Sequence, residues 1–260
     1  MCRRLQEGLA SDLAALSVAA APVTIRVVSN VDSFAKVAPP PAFGQPVNRQ
    51  PNGLTSGVGQ NGKVGMTEFP YRSKCILAFQ RHDGGAGEEV CFFALYVQEY
   101  GSDCPEPNTN RVYISYLDST RWLHTSPPGQ RSVVYHAIVN GYLQYAGAAG
   151  FSHAHLWVEP PKAGDEYIFY CRRPDPAHGS RPMPTSQLRA WYVRMLERAQ
   201  ATGIVAEFGD IQQELVSGLT SLRDFPLFEG DFFPEHVAEL VDESSGGAEP
   251  HFSRKQSITL

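Results

Sequence analysis

Cysteine is scarce in this sequence, and the cysteines that are there form no motif. The 260 residues hold five, an odd number with no Cys-x-x-Cys pair among them. Such spacing argues against a disulfide framework and a four-cysteine zinc site, and it fits a reducing intracellular compartment. Cys75 and Cys91 stand inside apolar, strand-like runs, where a free cysteine is usually a small core residue.

Long apolar runs and an excess of basic charge are also lacking. No segment approaches the ~20 apolar residues that a transmembrane helix needs. The 22 Lys and Arg residues are outnumbered by 27 Asp and Glu residues, which gives a net charge of −5. A nucleic-acid-binding protein usually carries a basic face, so this balance argues against direct nucleic-acid binding. An acidic surface suits a basic partner such as a lysine-rich tail.

The residues that are present predict an α/β protein with room for a sizeable core. Of all residues, 42% are hydrophobic and 19% are charged, as in ordinary globular proteins. Apolar spacing predicts helices at residues 3–18, 131–145 and 187–200. Alternating and β-branched runs predict strands at residues 23–28, 74–79, 90–97, 111–119 and 155–158.

The predicted globular domain covers residues 1–240 and contains one long insertion. Residues 37–65 are rich in Pro, Gly, Asn and Gln without an apolar period, which predicts a disordered surface insertion. A long irregular loop is expected over residues 159–186, with short helices near 210–217 and 234–241. Residues 241–260 are mostly small and polar, which predicts a disordered tail.

Two short patterns each allow a functional and a plain interpretation. Residues 81–86 read Arg-His-Asp-Gly-Gly-Ala and match a pyrophosphate-binding loop, but they join two predicted strands, which favours a hairpin turn. His153 and His155 share one face of a strand and could bind a metal. Because the sequence places no third ligand near them, we expect histidines on a strand surface.

The most informative stretch is a strand–loop–helix–strand unit over residues 111–158. The first strand ends at Leu117, Asp118 and Ser119, and Arg131 and Ser132 open the helix. Ligands of open α/β sheets bind outside the carboxyl ends of strands, and anions favour helix N-termini. The unit therefore predicts a site for an anionic cofactor, although residue type alone favours a solvated surface arginine at Arg131.

Five segments in this order resemble the acetyltransferase domain of the CREB-binding-protein type of histone acetyltransferase. They lie at residues 97–105, 111–119, 167–169, 191–192 and 228–232. The resemblance covers roughly residues 3–240. It implies an α/β fold with a mixed central sheet flanked by helices and a long substrate-binding loop over the cofactor.

The resemblance also implies an activity and its setting. A histone acetyltransferase domain over residues 1–240 would move acetyl from acetyl-CoA to a lysine side chain, without a metal. Its partners would be histone tails or other lysine-rich proteins rather than nucleic acid or a membrane. It would act in transcription regulation, and its location would be nuclear.

Site residues follow from the resemblance position by position. The implied cofactor-binding residues are Leu117, Asp118, Ser119, Arg131, Ser132 and Trp191. Those implied at the substrate tunnel are Tyr116, Leu117 and Asp118. The implied catalytic residues are Tyr192, the general acid, and Trp157, which lines the tunnel for the lysine. Without the resemblance, we would interpret Trp157, Trp191 and Tyr192 as core residues.

The sequence departs from the family pattern at a few places. Ser132 stands where the family usually has Thr, and Gln187 stands where it has a basic residue, a contact that Arg189 could supply. The connector between Ser119 and Arg131 is two residues longer than is typical. The tail after residue 240 is dissimilar, so we expect the chain to lack the C-terminal part of the family domain, with an unpaired sheet edge there.

These departures leave two alternatives to an active enzyme. One is a truncated, catalytically inactive module that binds coenzyme A or a histone tail. The other is an unstable fragment with no function of its own. We predict the active acetyltransferase, although the sequence discriminates poorly against these alternatives, because it retains nearly all the implied site residues while its C-terminal part differs from the family.

Overall fold

The computed structural model describes residues 1–20, 22–37, 67–81, 87–160, 167–169, 184–210, 225–231 and 255–260. Three helices flank a large sheet. The helices are α1 (Cys2–Ala15), α2 (Arg131–Ala148) and α3 (Thr185–Ala201). The strands are β1 (Ala19–Ala20), β2 (Val23–Val37), β3 (Thr67–Arg81), β4 (Glu89–Tyr100), β5 (Arg111–Ser119), β6 (Thr125–Ser126), β7 (His153–Trp157), β8 (Glu207–Asp210) and β9 (Lys255–Thr259).

The main sheet is mixed, as predicted. Its seven strands run in the order β2-β3-β4-β5-β7-β9-β8, and β1 pairs with β6 in a small separate sheet. Strands β5 and β7 pair in parallel, and every other pairing in the main sheet is antiparallel. A parallel pair needs a crossover between its strands, and α2 supplies it.

The predicted hairpin between β3 and β4 is present. Arg81 pairs with Glu89 across the turn, so the Arg-x-x-Gly-x-Ala pattern lies between two antiparallel strands rather than before a helix. A pyrophosphate loop leads from a strand into a helix N-terminus, whereas this pattern follows β3 and precedes β4, as the hairpin interpretation predicts.

Helix α2 packs against the sheet through side chains spread around much of its circumference. Val134, Ile138, Val139, Tyr142 and Leu143 are all buried. Helix α1 covers a second side of α2 with Leu5 and Leu9, and α3 covers another with Met195 and Leu196. The sequence of α2 is largely apolar and has no clear polar face, because α2 is the central helix of the layer and is covered on several sides.

The opposite face of the sheet carries a smaller core closed by residues 225–231. The ring of Phe228 stacks on Tyr113 with centroids 4.8 Å apart and planes 8° apart. Asn108 binds the segment twice, donating from Nδ2 to Leu227 O (2.6 Å) and accepting at Oδ1 from Leu227 N (3.0 Å). The segment is thereby held against β5.

For residues 255–260, the described part of the predicted tail over residues 241–260, the structure corrects the prediction of disorder. Lys255–Thr259 form β9, which lies between β7 and β8 and bonds to both. Ile258 is fully buried and Ser257 nearly so. The unpaired sheet edge expected after residue 240 is therefore not left by residues 255–259, because they pair on both sides. One apolar residue among polar ones is too weak a pattern to predict a strand. Strand β9 is stabilised instead by backbone pairing with β7 and β8, which its own sequence does not reveal.

Other predicted segments lie outside the described residues. These are the insertion at 37–65 apart from Val37, the helices near 210–217 and 234–241, residues 241–254 and most of the loop at 159–186. The described helices are too short or too polar to cross a membrane.

Candidate functional site

A pocket of ≈ 580 Å³ opens where β5, β7, α2 and α3 meet. The described residues that line it are Tyr113, Ile114, Ser115, Tyr116, Leu117, Ser119, Thr120, Arg121, Gly129, Arg131, Ser132, Tyr135, Leu156, Trp157, Glu159, Tyr167, Leu188, Trp191, Tyr192 and Gly230. It lies at the carboxyl ends of the two parallel strands, where ligands of α/β sheets bind.

A β-bulge shapes the β5 wall of the pocket. The pairing of β4 with β5 passes from Tyr96–Tyr116 to Val97–Ile114, so Ser115 is the extra residue. A bulge changes which face the following side chains take. Leu117 consequently packs against the helix-side core, while Tyr116 lies on the other face and its ring meets that of Tyr167 at 6.1 Å.

Asp118 is buried rather than pocket-lining. Its Oδ2 accepts hydrogen bonds from the backbone N–H groups of Ile168 and Phe169, both at 3.0 Å, and its Oδ1 accepts one from Ser119 N at 2.8 Å. Only 3% of its surface is exposed. Asp118 thus holds residues 167–169 against the end of β5, and direct contact with a ligand in this pocket is not its visible role.

The first turn of α2 contributes a cation, Arg131, and a hydroxyl, Ser132, to the pocket lining. The N-cap residue Gln130 makes no side-chain cap, and the first turn holds no acidic residue. The Nη1 of Arg131 donates to the carbonyl of Arg121 (3.3 Å), which brings two guanidinium-bearing residues into one wall. A helix N-terminus beside two arginines favours anionic groups.

The connector between β5 and α2 is secured at three points, despite its added length. Gln80 donates from Nε2 to the carbonyl of His124 and accepts at Oε1 from its N–H, both at 2.8 Å. The hydroxyl of Tyr135 donates to Thr120 O (3.1 Å), and β6 pairs with β1. Arg121 and Arg131 are therefore positioned by a fixed loop.

Two aromatic residues of α3 form the wall that faces α2. Trp191 donates from Nε1 to the hydroxyl of Ser132 (3.0 Å), and its ring meets that of Tyr192 edge-on at 4.9 Å. Adjacent residues of a helix lie about 100° apart around its axis, yet both of these side chains line the same pocket.

His136 supports Trp191 from α2. The two rings are 4.3 Å apart, and His136 Nε2 is buried without a hydrogen-bond partner in the described part of the chain. Burial first, and then the charges of Arg194 and Arg198, lower the pKa of His136 to about 4. The ring is therefore neutral at physiological pH and packs as an aromatic surface.

The end of β7 contributes the remaining wall. Trp157 is half-buried, and its Nε1 donates to Glu159 Oε2 at 3.2 Å. Glu159 is the one acidic side chain among the described residues that line the pocket. The sequence interpretation missed it, although its place two residues after a parallel strand is itself a signal for a site residue.

The structure brings together every predicted site residue except Asp118. Tyr116, Leu117, Ser119, Arg131, Ser132, Trp157, Trp191 and Tyr192 all line the pocket. Gln187 and Arg189 are exposed on α3 and are not among its lining residues. Arg121 was missed because it stands in a polar connector whose path depends on tertiary contacts.

The two histidines of β7 are not both surface residues, which corrects that expectation. His155 is 1% exposed, lies 3.2 Å from Arg111 Nη1 through Nε2, and packs against the ring of Phe228 at 5.2 Å. His153 is partly buried, which together with the charge of Arg111 lowers its pKa. Among the described residues, no three His, Cys, Asp or Glu side chains are arranged to hold a metal.

Comparison with known proteins gives one consistent family. The family model described as histone acetyltransferase domain KAT3 matches residues 13–257. Protein cbp-1 of Caenorhabditis elegans is 46% identical over 179 residues, which is 68% of this chain and 8% of that protein. Histone acetyltransferase HAC12 of Arabidopsis thaliana is 38% identical over 204 residues, which is 74% of this chain and 12% of that protein.

The chain therefore spans about a tenth of the length of these relatives. Among solved structures, Rtt109 from Aspergillus fumigatus aligns over 98% of this chain and 77% of its own, at 12% identity and a TM-score of 0.47. That likeness is too weak to support an argument.

Proposed function

Because the chain belongs to the KAT3 histone acetyltransferase domain family, we propose that it transfers acetyl from acetyl-CoA to the side-chain amine of a protein lysine. The observation that carries the proposal is the single pocket that unites the α2 N-terminus with Trp157, Trp191 and Tyr192. These groups come from three separate elements, and the fold alone does not require them to share a cavity.

The donor set of the pocket fits acetyl-CoA. Arg131 offers a planar guanidinium that binds phosphate oxygens through two parallel hydrogen bonds. Arg121 adds a second cation to the same wall, and Ser119 and Ser132 add hydroxyls. The uncapped N–H groups of the first turn of α2 complete an anion site. Leu117 and Trp191 supply apolar surface for the uncharged part of the molecule.

Acetyl-CoA supplies a thioester, and the chain supplies positioning and proton transfer. Trp157 forms an aromatic wall beside the place where the lysine side chain enters. Tyr192 donates its phenolic proton to the departing sulfur as the new amide forms, a role typically worth about 10²–10⁴-fold in rate. Its hydroxyl then recovers a proton from solvent.

The substrates are histone tails or other lysine-rich proteins, and the setting is transcription regulation in the nucleus. The net charge of −5 supports the proposal, because an acidic protein attracts lysine-rich segments over distances of about a Debye length. Direct nucleic-acid or membrane binding is not part of it.

The test is turnover by the wild-type chain and by Tyr192→Phe. Acetyl-CoA and a lysine-rich histone-tail peptide are incubated with each protein, and free thiol is measured. We expect the Phe variant to lose about 10²-fold in kcat with little change in acetyl-CoA affinity, because only a transition-state contact is removed. The matched control is Tyr71→Phe, which lies away from the pocket and should retain full turnover.

Two outcomes contradict the proposal in different ways. A wild-type chain that binds acetyl-CoA without turning over would be an inactive binding module. A Tyr192→Phe variant that matches an active wild type would make Tyr192 a packing residue and would require another proton donor.

A further inference from the structure

Glu159 has no part in the acetyl-transfer chemistry described so far, although it lines the pocket. It follows the last residue of β7 by two positions and stands on the same segment as Trp157. All other charged side chains among the described lining residues are cationic, namely Arg121 and Arg131. A pocket that binds phosphates does not need a carboxylate, which would repel them.

The hydrogen bond from Trp157 fixes the position of this carboxylate. The indole N–H is a donor only, and it meets Glu159 Oε2 at 3.2 Å. The contact aligns the carboxylate with the aromatic wall, and both side chains are half-buried, so they remain in reach of a molecule entering the pocket. Glu159 therefore lies beside Trp157, the residue that we propose lines the path of the substrate lysine.

A lysine substrate creates two needs that a carboxylate meets. It arrives as an ammonium, with an ordinary pKa of ~10.4, and it attacks a thioester only after losing a proton. Two pocket arginines would disfavour the approach of that cation, and a carboxylate offsets them. Among the described lining residues, the other titratable groups are the phenols of Tyr113, Tyr116, Tyr135, Tyr167 and Tyr192.

We propose that Glu159 binds the ammonium of the substrate lysine and accepts its proton. This inference rests on the proposed function. The carboxylate takes one proton from the ammonium and becomes a carboxylic acid, leaving a neutral amine. The amine nitrogen forms a bond to the thioester carbon, the carbon–sulfur bond breaks, and the sulfur receives the proton of Tyr192. The nitrogen releases its second proton to solvent, and Glu159 and Tyr192 return to their starting forms.

This role makes a specific prediction about pH. With the carboxylate present, the protonated lysine is the productive substrate, so kcat/KM should be nearly flat from neutral pH upward. Without it, only the small neutral fraction of the amine reacts. The value of kcat/KM should then rise about tenfold per pH unit toward the lysine pKa of ~10.4.

The experiment compares Glu159→Gln with the wild type in kcat/KM for a lysine peptide between about pH 7 and about pH 9. Glutamine keeps an oxygen that accepts from Trp157, so the wall stays in place. We expect a loss of about 10²-fold near pH 7 that shrinks about tenfold per pH unit. Glu159→Asp keeps the charge and should retain the flat profile, and Glu197→Gln, exposed on α3, is the matched control.

The outcomes separate this inference from the function on which it rests. If the wild type is active and Glu159→Gln follows it at every pH, the inference fails and the acetyltransferase proposal stands. A constant loss that does not vary with pH also overturns it, since that is the signature of altered packing. If the wild type shows no turnover with intact acetyl-CoA binding by calorimetry, both proposals fail together.

Discussion

The interior of the sheet and the pocket at its edge both hold charged side chains, but they treat them differently. In the interior, Lys74 forms an ion pair with Glu99, and both are nearly buried. Tyr142 donates its hydroxyl to Glu99 Oε1 at 3.2 Å, and the ring of Tyr145 lies 5.3 Å from Lys74 Nζ. Every partner comes from the chain itself.

In the pocket, the charges are arranged along a surface that the chain leaves open. Arg121 and Arg131 are exposed, and Arg131 contacts a backbone carbonyl at 3.3 Å in a solvent-exposed bond. An interior charge satisfied by its neighbours contributes to the fold, because desolvation makes it costly without them. An exposed charge that lines a cavity costs little to keep, and so it is available for a ligand.

The largest expected effect comes from breaking the interior pair. Glu99→Gln leaves the Lys74 ammonium buried without its countercharge, which should lower the free energy of unfolding by about 3–5 kcal/mol. Urea denaturation followed by circular dichroism measures it. Acetyl-CoA affinity of the folded protein should not change, because neither residue lines the pocket.

The double variant Lys74→Met with Glu99→Leu provides the control for this prediction. It removes both charges, so it should recover most of the lost stability. A cost below about 1 kcal/mol for Glu99→Gln alone would mean that water reaches the pair as it reaches the pocket charges. The distinction between the two regions would then be lost.

The next effect concerns the strand that the sequence did not reveal. Ile258 is fully buried in β9, so Ile258→Ala should cost about 2–5 kcal/mol of unfolding free energy. Val31→Ala is the matched control, because Val31 is 57% exposed on the outer strand and should change stability by roughly 0.5 kcal/mol or less. Equal small effects at both positions would place residues 255–259 outside the core.

β9 shows where prediction from sequence stops. The run Lys-Gln-Ser-Ile-Thr has one large apolar residue, and its pairing partners on β7 and β8 lie about 100 and about 50 residues away in the chain. Strand β5, in contrast, has five apolar or aromatic residues among its nine and was predicted with the right bounds. Local sequence patterns predict elements that have a hydrophobic face of their own. Strand β9 forms because of its pairing with β7 and β8, so its local sequence does not predict it.

The candidate site shows the same limit at the scale of single side chains. The helix start at Arg131 was predictable from the local pattern, whereas the predicted roles of Arg131, Ser132, Trp157, Trp191 and Tyr192 came from the family resemblance. The position of Asp118 was not, because the bulge at Ser115 shifts the side chains that follow it. A bulge depends on how two strands pair, so no window within one strand reveals it.

The pocket charges should affect binding without affecting stability. Arg131→Ala removes the proposed phosphate contact and should weaken acetyl-CoA binding by about 1.5–3 kcal/mol in titration calorimetry. Its melting temperature should be unchanged, because the side chain is exposed. Arg4→Ala, exposed on α1, removes the same charge far from the pocket and controls for net charge. Equal affinities in the two variants would return Arg131 to the solvated surface.

The smallest effect concerns His136, which lies between the two regions because it packs in the helix layer and supports the pocket residue Trp191. Its pKa in the folded protein is lowered to about 4 by burial, with the charges of Arg194 and Arg198 adding to the shift. The unfolded chain protonates this histidine near pH ~6.5, so between those values the unfolded state binds more protons. Stability should therefore be lost as pH falls from about 6.5 toward about 4 and should be independent of His136 above that window.

His136→Phe keeps an aromatic ring against Trp191 and removes the titration. The difference in unfolding free energy, variant minus wild type, should be about 1 kcal/mol more positive at about pH 5 than at about pH 7.5. This figure allows for solvent screening of a half-buried ring. Taking the difference between the two proteins cancels all other titrating groups. If urea denaturation gives the same difference at both pH values, His136 behaves as a solvated residue of the pocket rim rather than as part of the interior.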